Sequence, residues 1–224
     1  KIYDKPVFYF PRFSHPDPTV KRQSGFLTPT IRNSKNLGTS LEVPYYYMIS
    51  ANKDLTFKPR FYLNDQTVIQ NEYRQVNKNN NHIVDFSLNS NNYLGPKKNN
   101  KTHFFSNSMF DLDSNYFDNS DIQINIEHVS NDTYLKKYKI DSPIIENSSI
   151  LHSYFTFNAQ KDDLYLTSSI GVYEDLSKAK RDRHEFVYPS YEIVKNFDQE
   201  NSSYGETTFS SYGYQKKYET NIYE

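Results

Sequence analysis

Alternating apolar and polar residues in a chain rich in tyrosine and phenylalanine predict an all-β protein of antiparallel, up-and-down strands. Three observations carry that expectation. The aromatic content is 17%, supplied by 21 Tyr and 16 Phe with no Trp, whereas disordered chains are poor in aromatics. Segment after segment reads with period two, and the segments are separated by clusters of Asn, Asp, Ser and Gly. No stretch carries a convincing helical period.

Composition sets further bounds. Only 36% of residues are hydrophobic and the mean hydropathy is −0.86. No run approaches the roughly 18–20 apolar residues of a membrane helix. A transmembrane strand needs only about 9–11 residues and shows lipid a single face, so this composition is compatible with a membrane barrel. Net charge is −1, from 26 basic and 27 acidic side chains, which gives no support to a nucleic-acid surface. Cysteine is absent, which removes disulfides, thiolate metal sites and a cysteine nucleophile. The opening Lys1-Ile2-Tyr3 reads as an interior start and Asn221-Ile222-Tyr223-Glu224 as a stop in mid-strand, so a piece of something longer is expected.

The elements follow in order. Pro6 to Phe13 is a short strand, with Val7 and Tyr9 on one face and Phe8 and Phe10 on the other, ended by Pro11 and Pro16-Asp17-Pro18. Strands are then expected over Gly25 to Arg32, Leu41 to Ser50, Leu55 to Leu63, Thr67 to Val76 and Ile83 to Asn89. They resume at His103 to Leu112, Asp121 to Val129, Ile150 to Ala159, Leu164 to Tyr173, Glu185 to Val194 and Thr207 to Glu219. That makes about ten or eleven strands, with irregular stretches at Ser90 to Thr102 and Ser130 to Ser149. Where alternation is cleanest, the charges gather on one face, which is too polar for an ordinary core. A water-filled lumen accounts for this, and so does a soluble sandwich with one wet face per sheet. Periodicity alone leaves the two close to even.

Chemistry-bearing motifs are sparse. His15, His82, His103, His128, His152 and His184 show no metal-ligand spacing, Asp111-Leu112-Asp113 and Asp162-Asp163 lack a calcium-loop series, and no nucleophile elbow or phosphate loop is present. No enzyme, cofactor or metal is expected. Pro29 and Pro44 are more informative. Proline donates no ladder bond, and the two fall in consecutive strands, fifteen residues apart. They read either as edge or bulge prolines, which Pro59 and Pro189 show the chain to tolerate, or as a deliberately weakened seam. Each lost bond forfeits roughly 1 kcal/mol in water and more in lipid.

Several of these segments resemble a known family. Pro6-Val7-Phe8-Tyr9-Phe10-Pro11, the stretch His15 to Pro29 (HPDPTVKRQSGFLTP), Leu37-Gly38, Val43-Pro44-Tyr45-Tyr46-Tyr47 and Ala51-Asn52-Lys53-Asp54-Leu55-Thr56 with Pro59-Arg60 are similar to the outer-membrane LPS-assembly protein family, LptD or OstA. Ser130 to Leu135 and Phe186 to Tyr191 are similar to later family segments. The resemblance implies a periplasmic β-jellyroll followed by an outer-membrane barrel of about twenty-six strands. Residues 1–22 would hold the end of the jellyroll and the hinge, and 23–224 the first part of a transmembrane barrel. It implies lipopolysaccharide leaving sideways between the first and last barrel strands, with Pro29 and Pro44 loosening that lateral gate. It also implies an LptE-type plug lipoprotein, an LptA-type periplasmic bridge protein and outer-membrane lipids as partners.

On this footing Phe8 and Phe10 are candidates for acyl-chain contact, or else plain jellyroll core. Lys21, Arg22 and Arg32 are candidates for lipid A phosphates, or else solvated corner charges. The competing classes are a porin-like channel and a soluble β-sandwich adhesin.

Overall fold

In a computed structural model the described residues are 22–63, 66–91, 100–197 and 207–219. They form one open antiparallel sheet of thirteen strands. Residues 1–21, with Phe8, Phe10, Lys21 and the jellyroll end expected there, lie outside the described residues.

The first traverse is broken into β1 (Gly25–Phe26) and β2 (Thr30–Ser34), and the second into β3 (Gly38–Glu42) and β4 (Tyr45–Ser50). Both breaks contain a proline, Pro29 in one and Pro44 in the other. Gly38 closes the turn between them at φ 72, a conformation that costs a glycine little. After them come β5 (Lys53–Tyr62), β6 (Gln66–Val76), β7 (Asn80–Asn91), β8 (Lys101–Asp111), β9 (Asn119–Val129), β10 (Ile150–Lys161), β11 (Leu164–Asp175), β12 (His184–Phe197) and β13 (Thr207–Tyr218). Joining the broken pieces turns thirteen strands into eleven traverses, each paired to its sequence neighbour as up-and-down order requires. Most of the complete strands are 10 to 12 residues long, the length that crosses a hydrocarbon layer when tilted.

Cross-strand register fixes which residues share a face. Pairings Phe57↔Asn71, Phe86↔Phe104, Ser108↔Ile124, Ile124↔Phe155 and Phe155↔Ile170 run along one face. That face stays uncovered: Phe61 is 51% exposed, Ile126 43% and Ile170 50%. The other face carries Arg60, Gln70, Glu72, Asp85, Ser87, His103, Asn125 and Glu127, all buried. This polarity is inverted with respect to a soluble sandwich, whose apolar faces meet in the middle. An apolar outside and a polar inside is the arrangement of a membrane barrel wall. Leaving these aromatic and aliphatic side chains in water would forgo about 1.5–3 kcal/mol apiece.

The core lies between the polar face and the chain that links β9 to β10. Read from sequence as irregular, residues 130–149 contain a helix of one turn, α1 (Tyr134–Tyr138), stopped by Lys139 in the left-handed conformation at φ 48. Tyr134, Leu135, Tyr138 and Ile140 pack from this segment against Leu37, Tyr62, Val68, Phe105 and Val129 of the wall. Tyr134 and Leu135 are 0% and 1% exposed. The helix is far too short to be stable alone and exists because its apolar side chains are docked.

Candidate functional site

The proline breaks form a seam whose bonding can be followed donor by donor. Leu27 donates its N–H to the Pro44 carbonyl at 2.9 Å. The reciprocal bond of that pair is missing, because Pro44 has no N–H. On either side the register differs by one residue, from Phe26↔Tyr45 to Thr30↔Glu42. The first traverse therefore carries a bulge over residues 27–29, and the Thr30 hydroxyl beside it is buried without a partner. Pro29 itself is exposed.

The seam reaches one strand further than the sequence suggested. Val43 donates to the Pro59 carbonyl at 3.2 Å, and here too proline cannot return the bond. Pro59, read above as incidental, therefore stands level with the Pro44 break, and three successive traverses each carry a proline at one height. Register across this second boundary is unbroken: Glu42↔Arg60 and Tyr45↔Phe57 belong to one alignment.

The polar face is cross-linked sideways. Lys58 donates to Glu72 at 2.7 Å, and Asp54 accepts from Arg74 at 2.8 Å and from Arg22 at 3.3 Å. Arg60 spans two strands and the inner loop: its Nε donates to Glu42 Oε2 at 2.7 Å, and its Nη1 to the Tyr138 carbonyl at 2.5 Å. Gln70 donates to both oxygens of Asp85, at 3.0 and 2.9 Å, and to the Asp141 carbonyl at 2.8 Å. Such links satisfy groups whose unpaired burial would cost about 1–3 kcal/mol each.

Ser87, His103 and Asp85 meet in an order that suggests a nucleophile triad. Ser87 Oγ is 2.6 Å from His103 Nδ1, and His103 Nε2 is 3.3 Å from Asp85. All three are at most 2% exposed, and the Tyr134 hydroxyl lies 2.6 Å from Ser87 Oγ. Sealed beneath the helix, the cluster ties α1 to the wall. Burial pushes the Tyr134 phenol up to about 12, and its contact with Ser87 opposes this more weakly.

Farther along, a cavity of about 410 Å³ separates the loop from the wall, lined by Asn107, Asn125, Glu127, Glu146, His152 and Tyr173 among others. The inner loop is joined to the connection between β11 and β12 by Arg183. It donates to both carboxylate oxygens of Asp132, at 2.9 and 3.0 Å, and to Glu174 at 3.1 Å. That guanidinium holds the Asp132 carboxyl below the usual carboxylate range.

Of the remaining sequence-derived candidates, Arg22 is 66% exposed and bonded to Asp54, so its charge is already partnered. Arg32 is exposed and lines a small cleft with Lys137 and Lys139 of the inner loop. No group of three or more metal-ligating side chains is found among the described residues. The Arg60–Glu42 pair and the helix were not singled out from sequence. The opposite charges on one strand face were the available signal.

No protein-family model matches the chain. Among curated proteins it is 28% identical over 143 residues to the LPS-assembly protein LptD of Idiomarina loihiensis, covering 63% of this chain and 18% of that protein. It is 28% identical over 158 residues to the LPS-assembly protein LptD of Pseudoalteromonas translucida, covering 68% and 20%. Over a shorter span of 58 residues it is 45% identical to the LPS-assembly protein LptD of Aromatoleum aromaticum, covering 26% and 7%. The chain thus spans about a fifth of the length of the first two of these relatives.

Proposed function

Similar over two thirds of its length to a segment of the LPS-assembly protein LptD, the chain is, we propose, the first part of an outer-membrane barrel that delivers lipopolysaccharide to the outer leaflet. The observation that carries the reading is the break at one height in the first two traverses, in a sheet that is apolar outside and polar inside. A wall this polar inside suits a lumen, and the exposed face suits lipid tails. A seam lacking reciprocal ladder bonds separates at lower cost than an intact one, because each missing bond removes about 0.5–1.5 kcal/mol of resistance.

In this reading the first traverse is one lip of a lateral gate, and the barrel's last strand would be the other. The chain ahead of Gly25 would lie on the periplasmic side, in line with a bridge protein of the LptA type. The polar lumen would take an LptE-type lipoprotein. Among the described residues, Arg32 is the sequence-derived candidate left to meet an anionic headgroup, since it shares its cleft with Lys137 and Lys139.

Pro29→Ala combined with Pro44→Ala in the full-length protein supplies the missing donors. The expected outcome is normal assembly of the barrel with slowed appearance of lipopolysaccharide at the cell surface. Normal surface lipopolysaccharide in the assembled double variant would refute the gate.

A further inference from the structure

The two proline-weakened boundaries are not alike. Between the first and second traverses, the described residues contribute no ion pair. Their side-chain links are Met48 N–H to Ser24 Oγ at 2.8 Å, a long bond from Ser40 Oγ to the Arg32 carbonyl at 3.4 Å, and the edge contact of Phe26 with Tyr45. Between the second and third traverses, Arg60 and Glu42 face each other directly. They are 4% and 8% exposed, and Glu42 Oε2 accepts from two nitrogens of the guanidinium. The third arm of that guanidinium reaches the Tyr138 carbonyl at the end of α1.

We propose that Arg60 is the positioning residue of the gate: a clasp that locks the second traverse to the third and both to α1, so that the first traverse alone swings. Its functional consequence rests on the gate reading above, but the clasp itself is a property of the wall. Pro59 weakens the second boundary beside Val43, and the clasp lies one residue away, where it offsets that weakness. A buried guanidinium holding a carboxylate is difficult to part, since removing one partner strands the other charge away from water. The carbonyl of Tyr138 completes the fork, and its neighbours keep it in place. Tyr138 packs edge-on against Tyr62, with ring centroids 6.1 Å apart, and its hydroxyl donates to Gln66 at 3.2 Å. Displacing the inner loop would therefore take one of its two partners from Arg60 and leave the second traverse held through the Glu42 pair alone. That gives the loop control over how much of the wall is able to move.

The test uses the full-length protein carrying this segment, with Ile140→Cys as a buried reporter on the loop. In that background Arg60→Gln is expected to raise the rate of maleimide labelling about ten-fold or more, because the loop opens more often. Glu42→Gln, which leaves the Tyr138 bond intact, is expected to raise it less. The double variant Glu42→Gln, Arg60→Gln leaves no buried charge unpaired, so it assembles even where a single variant does not, and it should label at the raised rate. Labelling at the parental rate in both Arg60 variants would overturn the clasp. Disulfide trapping then reads the motion. A bond between Tyr46→Cys and Thr56→Cys across the second boundary should leave lipopolysaccharide delivery unchanged. One between Phe26→Cys and Tyr45→Cys across the first should stop it. Delivery stopped by the second-boundary bond would refute a fixed second traverse. Delivery unaffected by the first-boundary bond would refute a first traverse that swings alone, the Pro29/Pro44 variant above would still decide the gate, and the labelling result would still decide the clasp.

Discussion

Ile124 decides whether the outer face meets lipid. It is the middle residue of β9 (Asn119–Val129), and on its face it lies between Ser108 of β8 and Phe155 of β10. Five residues separate it from either end of the strand. At about 3.3 Å per residue that is roughly 16 Å along the chain, or about 12–13 Å across the layer at the usual tilt. An apolar belt about 25 Å tall therefore has Ile124 close to its midplane. An arginine there is expected to cost about 2–4 kcal/mol, a loss of roughly 30- to 1000-fold in the folding equilibrium. Gln123, the preceding residue, points to the polar face beside Met109 and Thr156, and an arginine there should stay within about 0.5 kcal/mol. Refolding of the full-length protein into lipid bilayers, titrated with denaturant, measures both variants. In a soluble sandwich Ile124 would pack in the middle and the chain would refold in water, so dependence of refolding on the bilayer separates that class. Equal costs, or a dearer Gln123→Arg, would refute the membrane-wall argument.

Two pH effects and one core substitution are also expected. The Tyr134 phenol is raised in the folded state from an ordinary value near 10 to about 12, so its neutral form stabilises the docked loop below pH ~10. That contribution, about 2–3 kcal/mol, should fade between pH ~10 and ~12 and be seen as faster labelling of Ile140→Cys, while Tyr134→Phe should remove the alkaline dependence. Asp132 is shifted the other way, by hydrogen bonds from Arg183. Its contribution is present above the ordinary carboxylate value near 4 and is lost on acidification below it, so the connection 130–149 should part from that around Arg183 at low pH. Limited proteolysis across that range checks it, with Asp132→Asn expected to be cleaved equally at neutral and acid pH. Leu135→Ala empties a fully buried position and should cost the docked loop about 2–5 kcal/mol, measured by hydrogen exchange of residues 134–140. Unaltered exchange would mean that the loop is not held by its core contacts.

Eleven traverses were legible because period-two alternation is a local property, and each strand carries its own copy of it. Ile122, Ile124 and Ile126 against Gln123, Asn125 and Glu127 give the β9 faces without reference to any neighbour. The prolines were legible as missing donors for the same reason. What sequence spacing did not reveal was their common height. Gly25 to Arg32 reads as one strand until the bulge at residues 27–29 is placed, and Pro59 joins the seam only when register sets it beside Val43. The helix was hidden for a different cause. Tyr134-Leu135-Lys136-Lys137-Tyr138 is too short to show a helical period, and its conformation is decided by docking on Tyr62, Val68 and Phe105, which are more distant in sequence.

The inner loop also changes how the low hydropathy is understood. A mean of −0.86 suggests a wall whose interior is simply wet, yet Arg60, Gln70, Asp85, Ser87 and His103 are all buried. Their partners are the neighbouring strands and the inner loop: the Tyr138 and Asp141 carbonyls and the Tyr134 hydroxyl. A polar wall covered this way is held to its loop by directional bonds, each of modest net strength but costly to leave unmade. Apolar packing alone would let the loop slide. Bonds aimed at particular carbonyls fix its register against the wall, and among the three proline-bearing traverses they do so at Arg60, beside the third proline. Stiffness in this wall is therefore set from inside, by a segment that is itself only one helical turn and a set of docked side chains. Among the described residues the first traverse has no such hydrogen bond to the loop, only the contact at Leu37 in the following turn, and in the proposed gate that makes it the part free to move.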